Sequence, residues 1–213
     1  MCDTVEKLAR SYGIRNRLSI QNRGLHKQHA NRVLEPYSFH TVIATATHWR
    51  NFFGLRASTK AQPEACDFGI AIAKAIRASS PRRLERGEWH LPYIREEDLL
   101  EKCTPIQFAE ASSGKCARTS YLTHDGVRSI KEDLRLASDL LASGHMSPFQ
   151  HPARPKEKRD PHRVSGNYSD VWAQFRKLLD NEHDFTKLIK PEDLIAGCRG
   201  DEGLADFMFS YPE

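Results

Sequence analysis

The sequence predicts a helix-rich α+β domain. Helix start and stop signals recur along most of the chain, and one segment reads best as a strand. A length of 213 residues with 39% hydrophobic content suits a single good-sized domain, or two small ones sharing a core. No apolar run approaches the roughly 18 residues of a membrane helix, and Met1-Cys2-Asp3 opens no signal peptide. A cytoplasmic protein with no membrane partner is therefore expected. Five scattered cysteines, none in a C-x-x-C pair, indicate neither a disulfide framework nor a thiolate metal site. The net charge of +4 is spread along the chain, short of the clustered basic face that duplex nucleic acid requires. It suits a site for phosphorylated small molecules.

The elements follow in order. Asp3 and Glu6 form a capping box opening a helix that stops near Gly13, and a second helical stretch runs from Lys27 toward Leu34 before Pro36. Phe39 to Ala46 is the expected strand, with β-branched Thr41, Val42, Ile43 and Thr45. Thr47 is placed to cap a short helix carrying Trp49, Phe52 and Phe53. Pro63 suits a helical first turn, after which Phe68, Ile72 and Ile76 form the expected buried face of a helix ending before Pro81. Gly87 to Tyr93 is an aromatic-rich loop or short extended piece. An Ala-rich amphipathic stretch runs from Ile106 to Ser120. Ser129 with Glu132 makes another capping box, and its helix finishes at Gly144 as a left-handed cap. The polar run Arg154 to Arg163 reads as a solvated loop or lid, and Ser169 is expected to cap a helix bearing Val171, Trp172, Phe175 and Leu179.

Two stretches carry candidate chemistry. In Gly144-His145-Met146-Ser147-Pro148-Phe149-Gln150-His151, two imidazoles, a hydroxyl and an amide sit on a stiff turn past a helix end. His145 can donate to a ring nitrogen or carbonyl, with Ser147 and Gln150 adding polar contacts; the alternative for Ser147 is to cap a helix beginning at Pro148. His145 and His151 stand too far apart for one helical face and lack a third ligand, so no metal is expected. In the second stretch, Asn51 to Gln62, Arg56 carries a guanidinium fork suited to a phosphate or a uracil-like edge, as does Arg32 further upstream; either could instead be a surface ion pair. Cys66 and Cys116 lie in Ala-rich helical contexts and read as small core residues. Trp49, Phe52, Phe53, Trp89 and Trp172 read as core aromatics. There is no G-x-G-x-x-G, P-loop, H-E-x-x-H or G-x-S-x-G.

These segments resemble the flavin-dependent thymidylate synthases, the ThyX family, in swapped order. Arg32 to Pro36, Thr41 to Thr47, Asn51-Phe52-Phe53-Gly54-Leu55-Arg56 and Ala61-Gln62-Pro63-Glu64 look like the later half of a family chain. Ala117-Arg118-Thr119-Ser120-Tyr121, Gly144 to His151 and Gln174-Phe175-Arg176 look like the earlier half. The chain is thus similar to a permuted branch of the family, with 1–100 as the later half, 101–180 as the earlier half and 181–213 as a tail of one domain. Such permutation is tolerated where the old termini are close and the new break lies on the surface.

The resemblance implies a helix-rich domain around a small mixed or antiparallel sheet. It implies that Ser120, His145, Ser147, Gln150 and Asn51 contact FAD, and that Arg32 and Arg56, with Gln174 and Arg176, hold the nucleotide. The implied reaction is reductive C5 methylation of dUMP to dTMP with methylenetetrahydrofolate and NADPH, in a homotetramer and without a cysteine nucleophile. UMP or another uridylate, a hydroxymethyl product, and a degenerate or truncated member without turnover remain open. The family's R-H-R-x-x-S-x-N-x-x-S-x-R-Y signature is missing, and Gln150 stands where the family usually has Glu.

Overall fold

The computed structural model describes residues 41–119, 129–161 and 165–180, with Glu182, Asp201, Gly203 and Leu204. All of these except Thr41 and Val42 belong to one unit, Ile43–Glu213. The helices expected over 3–13 and 27–34, the expected contacts of Arg32 and Ser120, and most of the tail lie outside the described residues. Within them the chain is mixed α and β: α1 Arg50–Arg56, α2 Pro63–Ala78, α3 Pro105–Ala117, α4 Ile130–Ala142, β1 Ala153–Pro155, β2 Trp172–Gln174 and α5 Phe175–Leu178. Single 3-10 turns at Asp98–Leu100 and Ser147–Gln150 join them.

The centre of the fold is the α3–α4 pair. Each helix opens with a reciprocal capping box, Thr104 with Gln107 and Ser129 with Glu132, so orphan amides at both starts are satisfied. α3 is buried around most of its circumference, and beside Phe108 and Cys116 its buried residues are small: Ala109, Ala111, Ser112, Ser113 and Gly114. Small side chains let α4 approach very closely. A Cβ on Gly114 would stand only 2.4 Å from the Asp133 carbonyl oxygen. The Asp133 carboxylate is driven into this seam and is fully buried, answered by an Arg118 ion pair and by Lys115 Nζ at 3.4 Å. Burial pushes its pKa up, and the two cations pull against that.

Against this pair sits an aromatic core. Trp89 meets Phe175 edge-on at 5.6 Å between ring centroids, and Phe149 lies 5.9 Å from Phe175, with Ala109, Ala137 and Met146 completing the cluster. The sheet is small and antiparallel: Ala153 pairs with Gln174 and Pro155 with Trp172. On its other side Ala153 exchanges both backbone hydrogen bonds with His90, at 2.7 and 3.2 Å. The extended piece expected around Trp89 is therefore a third, one-residue rung.

Several expectations need correction. Residues 41–46 form no strand: a strand requires a ladder partner, and this segment is held instead by loop side chains, while Val42 is 81% exposed. Thr47 does not cap α1, whose start at Trp49 has no side-chain cap; its hydroxyl accepts from the Ser169 amide at 2.7 Å. Ser169 caps no helix either. Its carbonyl closes a turn with the Trp172 amide, and Trp172–Gln174 is drawn into the sheet by β1, overriding the helical spacing of the apolar residues. Ser147 is the first residue of its 3-10 turn rather than a cap. On α2, Pro63 does open the helix, but Phe68 is 62% and Ile76 45% exposed. Gly69 is the buried residue of the helix and lies against α1, where a Cβ would stand a tight 3.1 Å from the backbone of Arg56 and Ala57; of the three expected apolar residues Ile72 alone is half-buried. Arg154 is not solvated: its guanidinium grips Asp160 at 2.5 Å and lies 5.6 Å from the Trp89 ring centroid. Trp49, Phe52 and Phe53 stack on one another as a half-buried cluster apart from the core.

Candidate functional site

The Gly144–His151 turn is built as a rigid presenter of polar groups. Gly144 takes φ of +71°, which costs glycine little. The amide of His145 then donates to Leu140 and that of Gly144 to Leu141, closing the end of α4 as a Schellman motif. Met146, Pro148 and Phe149 are buried and anchor the turn, whereas His145 and Ser147 are exposed. His145 Nδ1 shares a 2.9 Å hydrogen bond with the Ser143 hydroxyl, which orients the ring and leaves Nε2 for a ligand. Gln150 is half-buried, with its carbonyl accepting from Gln174 Nε2 at 3.1 Å.

From the end of this turn a buried polar network reaches the chain that leads into α1. His151 Nδ1 and the Thr45 hydroxyl share a 3.1 Å hydrogen bond, and the His151 carbonyl accepts from Tyr168 Oη at 2.7 Å. Asn167 Nδ2 donates to the Thr45 carbonyl at 2.9 Å, its Oδ1 accepts from Gln174 at 2.7 Å, and its carbonyl accepts from the Thr47 amide. Two segments about a hundred positions apart in the chain are thereby fixed to one scaffold. Burial, and then His90, lower the pKa of His151, so its neutral form is favoured; burial pushes the Tyr168 phenol up to about 12.

Just beyond Thr47, α1 carries Asn51 and Arg56, both exposed, and packs on α2. Gln174 is 3% exposed, and its amide nitrogen is engaged by Gln150 and Asn167, which gives it a positioning geometry. Arg176 pairs with Glu182 at 2.8 Å, as does Lys177 at 2.5 Å. Burial works against the Glu182 charge, but hydrogen bonds from Lys177 and Arg176 outweigh it and hold the carboxyl below its usual range. Cys116 is buried with its thiol pushed up to about 12, the setting of an inert core cysteine.

Comparison with known proteins finds no matching family model, curated protein or solved structure. An open cleft of about 420 Å³ lies elsewhere, lined by Arg118, Glu132, Arg135, Leu136 and Asp139. Its two arginines are balanced by two acids, and Arg118 is already committed to Asp133, so it offers little net charge to a phosphate. The His145 turn is the better site, with outward donors on a buried base. Among the described residues, no three His, Cys, Asp or Glu side chains converge as metal ligands. Sequence reasoning missed Asn167 and Tyr168, which hold the network together from a loop of otherwise ordinary composition. Their signal was a pair of polar side chains, each able to bridge two chain segments.

Proposed function

We propose that this chain is a flavin-dependent pyrimidine nucleotide methylase of the ThyX type, acting at C5 of dUMP. The observation that carries this reading is the hydrogen-bonded junction of Thr45 and Thr47 with His151, Asn167 and Ser169. It joins the two segments whose order is swapped relative to the family, as a working permuted site requires.

The residues present fit a flavin. His145 offers a free ring nitrogen and Ser147 an exposed hydroxyl, on a base that cannot shift without unpacking Phe149. Gln150 and Asn51 would complete that contact set, and Arg56 would receive the nucleotide by charge-assisted hydrogen bonds. NADPH is the source of electrons, methylenetetrahydrofolate is the source of carbon, and FAD when bound supplies the hydride chemistry that these side chains lack. The chain's own part is to bind, orient and exclude water.

The test is tritium release from dUMP labelled at C5, with FAD, NADPH and methylenetetrahydrofolate supplied. Release dependent on all three supports the reading, and the same assay on UMP decides between the two nucleotides. Flavin binding with no release from either would assign the chain to a binding-only relative.

A further inference from the structure

Helix α2 has two faces, and only one is used within the described chain. Gly69 lies against α1, while the opposite side presents Asp67, Phe68, Ala71, Lys74 and Ala75, all exposed. Phe68, the large apolar side chain of this face, is 62% exposed. Asp67 and Lys74 have no ion-pair partner among the described residues. At 3.6 residues per turn, positions 67, 71 and 74 fall along one edge of this face, and 68, 71 and 75 along the other.

We infer that this face pairs with the same face of a second copy of the chain, with the two α2 helices antiparallel. The pattern is self-complementary about a twofold axis between Ile70 and Ala71. Asp67 and Lys74 lie symmetrically about that axis, so the aspartate of each copy meets the lysine of the other. On the opposite edge, Phe68 of one copy comes level with the gap between Ala71 and Ala75 of its partner, a large knob over a small hole. An isologous contact needs both matches to arise from one rotation, and here they do. A parallel twofold would instead bring the charged edge of each copy against the Phe68 edge of the other and leave both Asp67 and Lys74 unmatched. The inference stands on α2 alone and does not depend on the flavin reading.

One helix pair buries a small interface, so the dimer should form with a Kd of roughly 1–100 µM. Sedimentation equilibrium across that range tests it, with far-UV circular dichroism to show that each variant keeps its helices. Asp67→Lys and Lys74→Asp should each weaken association roughly tenfold, because two attractive contacts become two repulsive ones. Combining both exchanges should restore it, and Phe68→Ser should weaken it in either background. A chain that stays monomeric at roughly 100 µM overturns the inference. So do single variants that associate like the parent, or a double exchange that fails to rescue.

Discussion

At the scale of single residues, the tightest constraint is Gly114. Any side chain there meets backbone rather than a movable rotamer, so Gly114→Ala must push α4 away from α3. We expect a loss of about 1 to 3 kcal/mol or more in denaturant unfolding. Arg56 is exposed at the end of α1, where we propose that its guanidinium receives the nucleotide. Arg56→Ala should leave the thermal midpoint unchanged and weaken dUMP binding far more than FAD binding; equal losses of both would remove its assigned role. His151 gives a pH signature. Its folded pKa lies below the ordinary 6.5, so as pH falls through that value the unfolded chain takes up the proton first and stability drops. Above it both states are neutral and the penalty vanishes. His90 adds the same slope, while Asp133 and Glu110, raised by burial, oppose it at lower pH. The informative comparison is therefore His151→Asn, which keeps an amide near Nδ1. Its thermal midpoint should fall less than the parent's between about pH 7 and pH 5.

At the scale of elements, what was legible was local. The Ser129 capping box, Pro63 at a helix start and Gly144 at a helix end are decided by backbone chemistry within a few residues, and all three stand as expected. What was not legible was pairing at a distance. Trp172–Gln174 carries helical spacing and becomes a strand because Ala153–Pro155 is there to receive it, a fact that no window around Trp172 contains. The β-branched run before Thr47 failed for the mirror reason: it has strand propensity but, among the described residues, no ladder partner. Of the candidate site, the turn was readable because each of its residues is fixed by its neighbours. The junction that positions it was not, since Asn167 acts across 122 positions. Asn167→Ala tests that junction. It leaves the Thr45 carbonyl and the Gln174 amide short of partners, at a cost of about 1 to 3 kcal/mol. Hydrogen exchange should quicken at the Thr47 and Ser169 amides while the α3–α4 pair keeps its protection.

At the scale of the whole molecule, the described unit is a helix-rich scaffold in which a close-packed helix pair, an aromatic core and a minimal antiparallel sheet hold one polar turn in place. Among the described residues no helix is long and apolar enough to cross a membrane. The central claim is that this turn, joined through His151 and Asn167 to α1, receives a flavin beside a pyrimidine nucleotide. Visible absorbance tests it most directly, by adding FAD to the purified chain and then titrating dUMP into the same cell. The account predicts flavin uptake and a shift of the flavin bands that saturates with dUMP and is lost in Arg56→Ala. A chain that takes up no flavin, or one whose bound flavin spectrum is indifferent to dUMP, would contradict it.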